Sequence, residues 1–127
     1  MRYLALDVGD RRIGLAVGDD TFGLSRALPT LRRSRRQADD IERLRAIATA
    51  EEVGALLIGL PLTLGGASGP QAERVRRFAG ACAPIGLPIE LYDERNTTVE
   101  ALRRGATDPD AGAARVLLED FLATRRA

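Results

Sequence analysis

The segment at residues 4–17 constrains the fold most, because it predicts two strands joined by a tight turn. Apolar residues dominate positions 3–8 and return at 13–17, and Gly9-Asp10 between them supplies the chemistry of a hairpin turn. Asp7 interrupts the apolar pattern of the first strand. Burying a lone carboxylate there is costly unless a partner such as a metal ion compensates for the lost water. The alternative is that Asp7 caps the turn by accepting hydrogen bonds from backbone amides.

The residue types that are missing exclude several kinds of catalytic site. The 127 residues contain no histidine, which excludes Ser-His-Asp triads and histidine-ligated zinc. They contain no lysine either, which excludes the P-loop lysine and Schiff-base chemistry. Carboxylates remain, and sites built from carboxylates alone usually hold Mg²⁺ or Mn²⁺.

All 19 cationic side chains are arginine, although the formal net charge is only +1. They cluster at residues 32–36, 74–77, 103–104 and 125–126. Arginine is suited to bidentate contacts with phosphate, but such clusters are also typical of solvated surfaces. The aromatic content of 4% makes a platform for stacking nucleic-acid bases improbable.

Length and composition predict one globular domain over residues 1–127. The longest apolar runs are too short to span a membrane, and the N-terminus lacks the pattern of a signal peptide. Cys82 is the single cysteine and cannot form an internal disulfide, which fits a reducing compartment. We therefore expect a cytoplasmic protein that does not bind membranes.

Hydrophobic periodicity predicts the element order β-β-β-α-β-α-β-α-α, which is typical of a mixed sheet with helices on its faces. In the helix predicted at residues 37–52, Asp39 and Asp40 fall in the first turn, where they complement the helix dipole. The continuous apolar run at 53–60 predicts a buried parallel strand. The other predicted elements are a strand at 23–31, a helix ending near 81, a strand at 86–92, a short helix from 97 or 98 to 104, and a closing helix from about 108 to 123.

Acidic residues stand where two predicted parallel strands end. Asp7 lies near the end of the first strand, and Asp93 and Glu94 follow the fifth. The carboxyl ends of parallel strands are where α/β sheets build their sites, so these groups can meet. Asp110 precedes the apolar stripe of the closing helix by one turn, which points it towards the sheet, although it could equally complement the dipole of that helix.

Three converging carboxylates without histidine or lysine would repel one another unless a cation is present. Two divalent ions about 3.5–4 Å apart would satisfy them and support phosphodiester cleavage, one activating the attacking water and the other stabilising the leaving oxygen. Arg95, together with Arg11 or Arg12, could then bind the neighbouring phosphates.

The chain resembles the YqgF (RuvX) family of bacterial RNase H-like nucleases, whose members are described as pre-16S rRNA nucleases or Holliday junction resolvases. The motifs that carry the resemblance span the chain. They are LDVGDRRIGLA at residues 6–16, GLPL at 59–62, GPQAERV at 69–75, DERNTT at 93–98, and Asp110 followed by Ala113-Ala114.

The resemblance implies an RNase H-like fold, a five-stranded mixed sheet with helices on both faces. It implies Asp7, an acid of the 93–95 segment and Asp110 as catalytic and metal-binding residues. Glu94 is favoured over Asp93 because Asp93 continues the face of Leu91. The nucleic-acid contacts that we expect with this family come from Arg11, Arg12, Arg95 and Thr97. One departure stands out, because junction resolvases of the broader fold carry a catalytic Glu at the end of strand four, where this chain has only Gly, Leu and Pro at 59–61.

The function that the resemblance implies is Mg²⁺- or Mn²⁺-dependent trimming of the 5′ end of precursor 16S rRNA, with ribosomal particles as possible partners. The first alternative is a resolvase that cleaves branched DNA as a symmetric dimer. The second is a non-catalytic nucleic-acid binder in ribosome assembly. An actin-like ATPase is disfavoured, because one short domain lacks the second phosphate-binding lobe. The oligomeric state stays open.

Overall fold

The computed structural model describes residues 1–61, 69–93 and 109–126 and, in the last range, the side chains of 112–125. The strands are β1 (Arg2–Val8), β2 (Arg12–Asp19), β3 (Ser25–Arg32), β4 (Ala55–Leu60) and β5 (Ile89–Asp93). The helices are α1 (Gln37–Ala50), α2 (Pro70–Ala81) and α3 (Pro109–Arg126), and a short 3₁₀ turn covers Ala83–Ile85. The helix predicted from 97 or 98 to 104 lies outside these ranges. In the part of the chain that is described, no helix is long and apolar enough to cross a membrane.

The five strands form one mixed sheet in the order β3-β2-β1-β4-β5. The first three strands make an antiparallel meander, and β4 and β5 run parallel to β1. All six residues of β4 are buried, as its continuous apolar sequence predicts for a strand covered on both faces. The predicted five-stranded mixed sheet is therefore confirmed.

The two faces of the sheet are covered by different helices. In β1, Leu4, Leu6 and Val8 belong to a buried cluster with residues of α1 and α2. Tyr3 and Ala5 alternate with them and belong to a second cluster with α3. The prediction of helices on both faces is thus confirmed, and the period of two in the strand decides which helix each side chain meets.

Helix α3 packs across the sheet through the apolar stripe predicted for it. Its buried residues include Ala114, Leu117, Leu118 and Phe121. The Phe121 ring makes edge-on contacts with Tyr3 and Tyr92, at centroid distances of 5.0 and 5.7 Å. The C-terminal half of α3 is therefore fixed over β1 and β5.

Candidate active site

Asp7 lies next to the carboxyl end of β1, opposite Gly14 of β2. Its neighbours Leu6 and Val8 are buried on the α1/α2 side of the sheet, so the alternation of the strand places Asp7 on the face that α3 covers. Asp7 is half-buried, whereas Leu6 is fully buried. The carboxylate therefore stands at the boundary between the core and the solvent, where the strand ends.

The carboxyl end of β5 lies at the same edge of the sheet. Leu6 pairs with Ile58 of β4, so the next residue, Asp7, lies beside Gly59, and Gly59 pairs with Tyr92 of β5. Two strand spacings separate β1 from β5, about 10 Å. Tyr92 packs on Phe121, on the face of Asp7. Asp93 follows Tyr92 and therefore falls on the opposite face.

Position 110 lies in the first turn of α3, four residues before the buried Ala114. It continues the stripe of the helix that packs on the sheet face of Asp7. The structure thus places two of the three predicted acidic positions, Asp7 and position 110, on the same side of the sheet. The side chain of Asp110 and the residues Glu94, Arg95 and Thr97 lie outside the described part of the chain. Among the residues that are described, no group of three or more metal-ligating side chains occurs.

A backbone hydrogen bond closes the turn that follows Asp7. The amide of Gly9 donates to the carbonyl oxygen of Arg12 at 2.8 Å, which closes the turn. A Cβ on Gly9 would lie 3.0 Å from that same oxygen, so a side chain there would push the turn open. Arg11 and Arg12 are exposed in this turn, at the same edge as Asp7.

Arg33, which in the sequence is only one member of the basic cluster at 32–36, is the residue that anchors this turn. Its Nη1 donates to the carbonyl oxygen of Gly9 at 2.8 Å, and its backbone amide donates to the carbonyl oxygen of Arg11 at the same distance. The guanidinium carbon lies 5.1 Å from the centre of the Phe78 ring. Arg33 therefore joins the hairpin turn to α2.

Asp40 lies in the first turn of α1, as predicted, and it is also fully buried beneath Arg33. Its Oδ1 accepts a hydrogen bond of 2.9 Å from the amide of Ser34, and its Oδ2 lies 3.9 Å from Nε of Arg33. In the sequence, the burial of Asp40 is indicated by its position four residues before Leu44, on the same face of the helix. The same spacing singles out Asp110.

Two further ionisable groups near the core, Tyr92 and Cys82, have raised pKa values. Burial raises the pKa of Tyr92, and the nearby carboxylates of Asp120 and Asp93 raise it further. Burial also raises the pKa of Cys82 to about 11, so its thiol stays protonated at neutral pH. A protonated thiol is a poor nucleophile, so Cys82 is not a candidate catalytic residue.

A family model described as "RuvX: Holliday junction resolvase" matches residues 1–124. The chain belongs to the RuvX family.

Two of the curated relatives of this RuvX-family chain match it over almost its full length. One, from Anaeromyxobacter sp. (strain Fw109-5), is named "Putative pre-16S rRNA nuclease" and is 41% identical, with all of both chains covered. Another of the same name, from Roseiflexus sp. (strain RS-1), is 40% identical over 98% of this chain and 96% of its own.

Solved structures confirm the RNase H-like fold of this RuvX-family chain. RuvC from T. thermophilus, bound to a Holliday junction substrate, matches with a TM-score of 0.60 and 16% identity over 98% of this chain and 95% of its own. A second RuvC structure from Thermus thermophilus matches with a TM-score of 0.57.

Proposed function

We propose that the chain is a metal-dependent nuclease that trims the 5′ end of precursor 16S rRNA. The observation that carries the proposal is the position of Asp7, a half-buried carboxylate at the carboxyl end of a central strand, beside the end of β5 and under α3. The names of the full-length relatives support the RNA substrate. We propose that the chain acts as one nuclease domain in the cytoplasm.

Asp7, Glu94 and Asp110 are the proposed catalytic residues and would hold Mg²⁺ or Mn²⁺. Their donor atoms are all carboxylate oxygens, which fit these hard cations. Bound there, the ions would supply activation of the attacking water and stabilisation of the leaving oxygen.

The strand register supports Glu94 over its neighbour as the second acid. Asp93 belongs to the face opposite Asp7, so the next residue in a strand alternation returns to the correct face. A glutamate side chain also reaches further than an aspartate, and β5, which Glu94 follows in sequence, lies two strands from β1.

Arginines at the same edge are the proposed partners of the substrate phosphates. Arg11 and Arg12 are exposed in the turn that follows Asp7. Arg95 and Thr97, which follow β5 in sequence, are the other proposed contacts. Arginine forms paired hydrogen bonds to phosphate oxygens, which would orient the strand to be cut.

A Holliday junction resolvase is the second candidate, because the family model carries that description. The position beside Asp7 on β4 is Gly59, so this strand offers no fourth carboxylate there. Because of that difference, the substrate of the resolvases of the broader fold is not carried over to this chain, and the RNA assignment rests on the names of the relatives. A ribosomal particle that presents the precursor would be the macromolecular partner.

The test compares cleavage of precursor 16S rRNA and of a four-way DNA junction, each with Mg²⁺, Mn²⁺ or EDTA. Asp7→Asn removes the proposed ligand, and Asp39→Asn, on the exposed face of α1, is the matched control. Metal-dependent RNA cleavage that is lost in Asp7→Asn and kept in Asp39→Asn supports the proposal. Equal cleavage by Asp7→Asn would refute it. Cleavage of the junction alone would indicate a function in DNA recombination. Binding without cleavage would indicate a non-catalytic assembly factor.

A further inference from the structure

A cleft of about 330 Å³ opens at the carboxyl end of β1, on the face of the sheet opposite Asp7. Val8 and Gly9, the two residues that follow Asp7, form its floor. One wall is α2, and the other is formed by the start of α1 with the segment before it. The polar side chains that line it are Asp10, Arg33, Gln37, Gln71, Arg74 and Arg77.

The charge of this cleft is positive. Three guanidinium groups and two amides face one exposed carboxylate, that of Asp10, which lies 3.7 Å from Arg74. Asp40 offsets part of the charge of Arg33 from below, but it is buried and does not line the cleft. Arg74 and Arg77 are exposed and one turn apart on α2, so both can meet a ligand that enters from solvent.

Arg33 is a fixed part of this cleft and not a solvated surface residue. Its side chain is 21% exposed. Its two terminal nitrogens donate to the carbonyl oxygen of Gly9 at 2.8 Å and to Oε1 of Gln37 at 3.3 Å. Its plane lies over Phe78. A guanidinium held in this way loses little conformational entropy when it binds an anion.

The side chains that line the cleft are suited to binding a phosphodiester backbone. Guanidinium and amide groups donate to phosphate oxygens, while Phe78 is 2% exposed under Arg33 and cannot stack on a base. The cleft is also open to solvent along α2, as a polymer requires.

We propose that this cleft binds the backbone of the substrate strand next to the phosphate that is cut. The strand would cross the edge of the sheet beside the turn at residues 9–12, with its reacting phosphate at Asp7 and a neighbouring phosphate between Arg33 and α2. The assignment of the reacting phosphate rests on the proposed nuclease function. Binding in the cleft sets affinity without reading sequence, because its donors meet the backbone alone.

The test measures the binding of a fluorescent single-stranded RNA oligonucleotide in EDTA, over a range of salt concentrations. The variant Arg74→Gln/Arg77→Gln removes two charges from the cleft. The matched control Arg45→Gln/Arg76→Gln removes two exposed arginines that lie outside it, each in an i,i+3 pair with a glutamate of its own helix. Both variants therefore carry the same net charge.

We expect the cleft variant to bind about tenfold more weakly than the control, because two charge-assisted contacts are lost. The slope of log affinity against log salt should fall by about 0.7 for each phosphate contact removed. Oligonucleotides of different sequence should be affected equally. In a cleavage assay KM should rise while kcat stays unchanged, since the lost contacts act equally in the ground and transition states. A labelled four-way DNA junction in a parallel series shows whether the strand is RNA or DNA.

Equal affinities and salt slopes for the two variants would overturn the proposal, and so would a failure of the unsubstituted protein to bind the RNA and the junction. Because the measurement is made in EDTA, it does not depend on cleavage. If no substrate is cut but the cleft variant still binds more weakly than its control, the nuclease function falls and the cleft stands. If cleavage occurs and both variants bind the RNA equally, the cleft proposal falls and the nuclease function stands.

Discussion

Nη1 of Arg33 donates a hydrogen bond of 2.8 Å to the carbonyl oxygen of Gly9, two residues beyond Asp7. This bond ties the segment before α1 to the turn that ends β1. The position of the candidate catalytic edge therefore depends on Arg33, which lies 24 positions after Gly9 in the sequence. The carboxylate of Asp40 beneath Arg33 supports the same arrangement.

Arg33→Lys should destabilise the protein although it keeps the charge. One ammonium cannot reproduce the forked contacts with Gly9 and Gln37, so we expect a loss of about 1–2 kcal/mol in the free energy of unfolding. Urea unfolding measures this loss. Arg35→Lys, an exposed change in the same segment, should stay within about 0.5 kcal/mol of the unsubstituted protein. Equal stabilities for the two variants would show that the Arg33 contacts contribute nothing.

Asp40→Ala should be the most damaging change in the first turn of α1. It removes a buried acceptor from the amide of Ser34 and a counter-charge from Arg33, for which we expect about 2–3 kcal/mol of destabilisation. Asp39→Ala, one residue away and exposed, should cost about 0.5 kcal/mol through the helix dipole alone. Chemical denaturation of the two variants compares them directly. A cost for Asp40→Ala no larger than that for Asp39→Ala would contradict the role assigned to the buried carboxylate.

The sheet and its helices could be predicted because their signals are local. The apolar segments on either side of the turn at Gly9-Asp10 predict β1 and β2, and the apolar run at 53–60 predicts β4. The closing helix, predicted from about 108, begins at Pro109. The roles of Arg33 and Asp40 depend on Gly9 and Phe78, which only the folded chain brings near. No local pattern distinguishes Arg33 from the other arginines of its cluster.

Gly18→Ala tests the packing of α3 on β2. A Cβ at Gly18 would lie 2.7 Å from the carbonyl oxygen of Leu24 and 2.9 Å from Cδ2 of Leu118, so backbone and helix would have to move. We expect a loss of about 1–3 kcal/mol in the free energy of unfolding. Gly80→Ala, in α2 with open space around it, should stabilise by about 0.5 kcal/mol. Thermal unfolding of both variants measures the contrast, and the same sign of shift for the two would contradict it.

Cys82 should react very slowly with a thiol reagent in the folded protein. Burial raises its pKa to about 11, so at pH 8 the thiolate fraction lies far below that of an ordinary cysteine, and the thiol is also shielded from solvent. Absorbance of the released chromophore follows the reaction, and urea should restore full reactivity. Raising the pH should accelerate labelling without a plateau until the pH approaches that raised pKa. Rapid labelling of the native protein at pH 8 would contradict the packed environment of this residue.

The candidate site could be predicted only in part, for a geometrical reason. Strand ends and helix periodicity are enough to place Asp7 and position 110 on one side of the sheet. They do not show the cleft on the other side, because its walls come from α2 and from the start of α1. The sequence singles out the carboxylates because they interrupt apolar patterns. It also shows the arginine clusters at 32–36 and 74–77, but not that Arg33, Arg74 and Arg77 line one cleft.

Glu94→Gln and Asp93→Asn distinguish the two acids at the end of β5. Tyr92 faces α3 with Asp7, and Asp93 falls on the opposite face, so the metal-binding acid should be Glu94. We expect Glu94→Gln to lower kcat by at least about 100-fold and to weaken Mn²⁺ binding measured by calorimetry, because the amide keeps the shape but loses the charge. Asp93→Asn should keep both properties within a few-fold. The opposite result would show that the chain turns after Tyr92 so that Asp93 reaches the face of Asp7, and the assignment of the second carboxylate would pass to Asp93.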